Sequence, residues 1–126
     1  MKKLISISLL LAATTLLCRA QSVTKTMNSI VTTTPTTALT SASSATTSNS
    51  IVQVDYFDGL GRPVQTVLVN GSSAGVDLAT RQVYDKYGQV IENWLPVPAS
   101  SNNGAYVSSF NSKSKSAYSN DSYAYT

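Results

Sequence analysis

The chain has 126 residues, with nine Lys and Arg against six Asp and Glu, no His and one Cys. Without an imidazole or a second thiol it offers no ordinary zinc site, no Ser-His or Cys-His nucleophile and no internal disulfide staple. The residue set points away from catalysis, and it calls for no cofactor and no metal.

Residues 1–20 read as a secretory signal. Lys2 and Lys3 precede an apolar run from Leu4 to Leu17, and Cys18-Arg19-Ala20 places small residues at the −3 and −1 positions, so cleavage is expected between Ala20 and Gln21. The run is shorter than the ~20 apolar residues that span a bilayer, so no stable membrane insertion is expected after cleavage. The alternative is a lipoprotein acylated at Cys18, but Leu16 and Leu17 stand where small residues are needed. Removing Lys2, Lys3 and Arg19 from the nine cations leaves six, against Asp55, Asp58, Asp77, Asp85, Glu92 and Asp121, for a mature net charge of zero. No basic stripe remains to neutralise phosphates, which removes the electrostatic case for nucleic acid.

Residues 21–50 hold 17 Ser or Thr among 30 positions, with Lys25 the only charge. Such a tract buries too little apolar surface to offset its ordering entropy and reads as a linker. Within it, the β-branched run Ile30–Thr34 could add an edge strand over 28–34 that ends at Pro35.

The hairpin region spans 51–95. Val52, Val54 and Tyr56 alternate with Gln53 and Asp55, the period of a half-buried strand. Asp58-Gly59-Leu60-Gly61 turns the chain, and Pro63–Val69 returns with Val67 and Val69 on the face of Gln65. Residues 70–75 read as a flexible loop in which Gly71 is free to adjust. A second pair follows, Arg81–Tyr84 and Gln89–Trp94, around the turn at 85–88. Residues 96–126 carry Pro96 and Pro98 and then mostly Ser, Asn, Ala, Gly and Tyr, without strand or helix periodicity. They are expected to form an irregular tail. The fold class is therefore mainly β, a small antiparallel meander of two hairpins with disordered flanks and a signal-peptide helix ahead of it. With open edges and no staple, such a unit is expected to be weakly stable alone.

The two turns are copies of one another. Aligning Asp58 with Asp85 superposes Phe57 on Tyr84, Gly61 on Gly88 and Val64 on Ile91, giving aromatic-Asp-x-x-Gly-x-x-aliphatic twice. Asp can accept from the backbone two residues on, and Gly adopts the positive φ that closes the turn. Asp58, Gly59, Gly61, Asp85 and Gly88 are therefore the structural turn motif, and no catalytic, cofactor or metal residue stands out. Sharper readings of the same residues carry less weight. Asp55, Asp58 and Asp85 near glycines suggest calcium, but the alternating oxygen ligands of an EF-hand are missing. A glycosidase pair from Asp77, Asp85 or Glu92 is selected by nothing in their spacing. Gly59-x-Gly61 lacks the third glycine and the helix of a phosphate loop. Trp94 and the tyrosines could stack on sugars, although core packing accounts for them more simply.

Tyr-Asp-x-x-Gly-Arg repeats are the hallmark of the RHS (YD-repeat) family of large bacterial secreted and surface proteins. The string Tyr56–Val67 resembles the opening domain ahead of those repeats, and Ile30–Pro35, Val83–Gly88, Trp94–Pro98 and Gly104–Tyr106 fit it in order. The resemblance covers roughly 28–125 and is tight over 51–98; Gln89 departs from it, standing where Arg is usual. It implies a fragment whose partners are downstream repeats of a longer chain or a neighbouring protein, secreted or at the cell surface. The implied role is non-enzymatic, capping or presenting a repeat shell that in the family is often associated with toxins. The alternative is a surface adhesin or carbohydrate-binding module using exposed aromatics.

Overall fold

In the computed structural model, which describes residues 23–119, five antiparallel strands follow one another as a meander. They are β1 (Asn28–Pro35), β2 (Ser50–Phe57), β3 (Pro63–Leu68), β4 (Leu78–Tyr84) and β5 (Val90–Pro98). A single turn of 3₁₀ helix (Ala42–Ser44) interrupts the β1–β2 connection, and one helix, α1 (Phe110–Tyr118), follows the sheet. The expected signal peptide lies outside the described residues. Among those described, no helix is long and apolar enough to cross a membrane.

Alternation builds the core. On β2, Val52, Val54 and Tyr56 point to one face and are buried, joined there by Val67, Val69, Ala79, Val97 and Ala99. Pairing of Val54 with Val67 and of Val67 with Ala79 stacks these side chains across the strands. Val107 and Phe110, from the segment after β5, close over them. Each of the valines and Phe110 contributes about 1.5–3 kcal/mol on burial, and the two alanines less.

Residues 96–119 correct the expectation of an irregular tail, whose last seven residues lie outside those described. β5 runs through Pro96 to Pro98, with Val97 opposite Ala79 and Pro98 opposite Leu78. An edge strand tolerates proline where the missing donor would face outward. Residues 101–119 then cross the covered face and end in α1. This helix has no acidic residue in its first turn and no side-chain cap, and at nine residues it would be marginal alone. Tertiary packing holds it: Phe110 and Ser114, one turn apart, are its buried residues, and Phe110 meets Trp94 edge-on at 6.2 Å. Tyr118 donates to the Pro96 carbonyl at 2.5 Å, and Lys113 bonds Ser100.

Three polar side chains fasten the crossing segment. The Tyr56 hydroxyl donates to the Gly104 carbonyl at 2.7 Å and accepts from the Thr24 N–H. The Gln65 amide makes a reciprocal pair with Val107, accepting its N–H at 2.7 Å and donating to its carbonyl at 3.1 Å. The Asp77 carboxylate, fully buried, accepts the Gly104 N–H at 2.7 Å and the Asn70 N–H at 3.0 Å. No buried side-chain N or O among the described residues lacks a partner. Gly104 has φ +79, and a Cβ there would lie 2.8 Å from Val54 Cγ2, so only glycine lets the backbone come this close.

The 70–77 connection is also more constrained than a flexible loop. Ser72 donates its N–H to the Val76 carbonyl and accepts the Val76 N–H on its hydroxyl, both at 3.0 Å. A Cβ on Gly71 would lie 2.8 Å from Leu68 Cδ2 and 3.1 Å from the Leu68 carbonyl oxygen. Gly71 is therefore not the adjustable glycine expected from the sequence.

Candidate functional site

The repeated turns sit side by side at one end of the sheet, because β2–β3 and β4–β5 are successive antiparallel hairpins. Their backbones are closed in the same way. Asp58 N–H donates to the Arg62 carbonyl at 2.9 Å and Gly61 N–H to the Asp58 carbonyl at 3.1 Å; the equivalent bonds from Asp85 and Gly88 have the same lengths. Each Asp carboxylate accepts two further N–H groups, those of Leu60 and Arg62 for Asp58 and those of Tyr87 and Gln89 for Asp85, at 2.8–2.9 Å. Gly61 and Gly88 hold φ of 78° and 86°, the left-handed region in which a side chain is strained. Gly59 is exposed within the first turn, with nothing within 4 Å of a Cβ position.

The turns differ at their fifth residue. Arg62 closes a salt bridge to Asp58 at 2.7 Å. The Arg62 N–H is the largest influence lowering the Asp58 carboxyl pKa below its ordinary value; desolvation, next in size, opposes it, and the guanidinium and the Leu60 N–H add to the lowering. The same guanidinium lies 4.6 Å from the Tyr84 ring centroid, at the mouth of the second turn. Tyr84 in turn donates to the Pro63 carbonyl at 2.7 Å. Arg62 and Tyr84 thus tie one hairpin to the next, and nothing in either turn's local sequence announces the contact. Gln89, at the position equivalent to Arg62, brings no cation to the outer side of β5.

That outer side is open. β5 ends the sheet, and Val90, Ile91 and Leu95 are exposed along it. A cleft of about 340 Å³ lies between β5 and α1, lined by Glu92, Asn93, Trp94, Leu95, Ser114 and Tyr118. The Trp94 indole N–H donates to Glu92 at 2.8 Å.

The acids considered as chemical groups are separated by the fold. Asp77 precedes β4 and lies in the covered core, Asp85 follows β4 in a turn, and Glu92 is on β5 opposite Val83. Asp55 accepts from Gln53 and Thr66 on the uncovered face. Three residues that organise the structure, Gln65, Asp77 and Gly104, were not singled out as such from the sequence. The only available hint was a polar residue at an inward position of a strand, Gln65 between Val67 and the turn.

Fold and turns define a small, mainly β module made of laterally joined Asp-x-x-Gly hairpins covered on one face by residues 101–119. The chain belongs to the family described as Domain of unknown function (DUF6443), whose profile matches residues 28–126. No curated protein and no solved structure matches it.

Proposed function

We propose that this chain is a non-enzymatic structural module of an exported RHS/YD-repeat protein, secreted or at the cell surface, that caps or presents the repeats beside it. The observation that supports this best is the lateral tie between equivalent turns, with Arg62 over Tyr84 and the Tyr84 hydroxyl on Pro63. A further aromatic-Asp-x-x-Gly hairpin beside β5 would continue the lateral arrangement, with Gln89 in place of the Arg62 cation, along an edge that no other described strand pairs with and that exposes Val90, Ile91 and Leu95. The apolar cleft beside Trp94 would take one side chain of the incoming strand. The alternative adhesin reading draws less support, because Trp94 packs on Phe110 and Tyr106 packs edge-on against Tyr56.

The test is to titrate the isotope-labelled chain with a synthetic Tyr-Asp-x-x-Gly-Arg hairpin and follow amide exchange. Binding should saturate and slow exchange along Val90–Leu95 while leaving β1 unchanged. No saturation, or equal protection of both sheet edges, would overturn the proposal.

A further inference from the structure

The sheet face turned away from residues 101–119 carries a polar cleft that a capping role does not use. Register places Asp55 opposite Thr66, Thr66 opposite Thr80, and Gln82 opposite Asn93. Four adjacent strands, spaced about 4.8 Å apart, therefore present carboxylate, hydroxyl and amide groups together. With Pro63 and Gln65 they line a depression of about 280 Å³. Ligand pockets run from ~300 to 1,000 Å³, so this one suits a single small ring and not a long chain.

The groups are positioned but not exhausted. Asp55 is steadied by the Thr66 hydroxyl at 2.7 Å and by Gln53 Nε2 at 2.9 and 3.1 Å. A carboxylate offers about four lone-pair sites, so one acceptor position is left. Gln82 Oε1 lies 3.1 Å from the Tyr84 hydroxyl and shares the one proton that Tyr84 gives chiefly to the Pro63 carbonyl, which leaves the Gln82 amide N–H donors. The side chains of Thr80 and Asn93 make no hydrogen bond to another described residue. Neither Lys nor Arg lines the cleft, so an anion would meet Asp55 without compensation. A divalent cation needs several hard oxygen donors, and among the described residues no three His, Cys, Asp or Glu side chains come together. An apolar ligand would strip water from these polar groups and return no hydrogen bond. A sugar hydroxyl both donates and accepts, matching a carboxylate, two amides and two hydroxyls at once.

We propose that this cleft binds one unit of a neutral saccharide, with Asp55 accepting from one ring hydroxyl and Gln82 and Asn93 bracketing its neighbours. Asn93 also borders the cleft beside α1, whereas Asp55, Thr66, Thr80 and Gln82 do not, so shifts at those four distinguish saccharide binding from the capping role.

The experiment is an NMR titration of the full chain with glucose, N-acetylglucosamine, maltotriose and chitotriose. At least one should give saturable shifts centred on Asp55, Thr66, Thr80, Gln82 and Asn93. Asn93→Ala, at an exposed position, should weaken that binding about tenfold with an unchanged denaturation midpoint, in line with the loss of one hydrogen-bonding side chain to the ligand. Asp55→Asn should weaken it as well. The proposal is overturned if none of the four saturates, if Asn93→Ala binds as well as the parent, or if the shifts centre on Trp94 and Tyr118.

Discussion

Residues 36–49 and 101–119 are alike in composition, both rich in Ser with little charge, yet the fold treats them differently. The first bonds mainly to itself: Ser41 to Ser43 and Ser44, Thr46 to Ser48, and Asn49 to both Thr46 and Ser44. The second reaches Tyr56, Gln65, Asp77 and Arg81 on three strands and the loop between them, and buries Val107 and Phe110. Two buried apolar side chains, plus buried polar groups that receive its backbone, are enough to order a polar segment. Without them, Ser-rich chain stays at the surface, closed by its own hydroxyls.

The sharpest way to break that contrast is Phe110→Ala. Truncating a fully buried Phe should cost about 3–5 kcal/mol, read from chemical denaturation, and should speed exchange throughout Phe110–Tyr118. A loss below about 1 kcal/mol would mean that α1 is no part of the core. Next is Asp77→Ala, which orphans the Asn70 and Gly104 N–H groups at ~1–3 kcal/mol each. Asp77→Asn, which keeps one accepting oxygen, should recover part of the loss. If the asparagine variant is no better than alanine, the paired acceptance of both N–H groups is the essential feature.

A third comparison sets local turn chemistry against close packing. Gly61→Val is strained by its positive φ, at ~1–3 kcal/mol, with open space around the new side chain. Gly71→Val has no such φ but would collide with Leu68, so the two losses should be similar, contrary to the sequence expectation that Gly71 is tolerant. Paired melts decide between them.

Arg62→Gln, which makes the first turn resemble the second, should cost about 0.5–1 kcal/mol through the lost contact with Tyr84. It should also raise the Asp58 pKa only part of the way towards the ordinary value, because the Arg62 backbone N–H remains. The sign is that of a carboxylate lowered in the fold: its contribution is complete above the ordinary carboxylate range and fades as pH falls through the folded-state value. An NMR pH titration of Asp58 in both forms measures this. The smallest effect belongs to the self-bonded segment, where Ser41→Ala should change stability by no more than about 0.5 kcal/mol.

Much of the sheet was legible residue by residue. The alternation of Val52, Val54 and Tyr56, the return through Val67 and Val69, and the β-branched run that forms β1 depend on period and propensity, which neighbours within a strand decide. Asp58 and Asp85 with Gly61 and Gly88 form their turns from five residues each, so the repeat alone was enough to place them. Of the polar cleft, only the outward positions of Asp55 and Thr66 were legible; Thr80 lies ahead of the strand expected from Arg81. The β4–β5 bulge that offsets Thr80 from its neighbours is a feature of pairing, not of composition.

The sequence by itself therefore determined the hairpins and their turns, because each rests on contacts between residues a few positions apart. Only the tertiary structure decided that residues 101–119 are ordered, that Pro96 and Pro98 sit in an edge strand, and that Arg62 meets Tyr84. The anchors of the crossing segment join residues 27 to 48 positions apart, Asp77 to Gly104, Gln65 to Val107 and Tyr56 to Gly104. A Ser- and Asn-rich stretch gives no local sign of such partners. Its order comes from burial and hydrogen bonds that exist only once the sheet beneath it has formed.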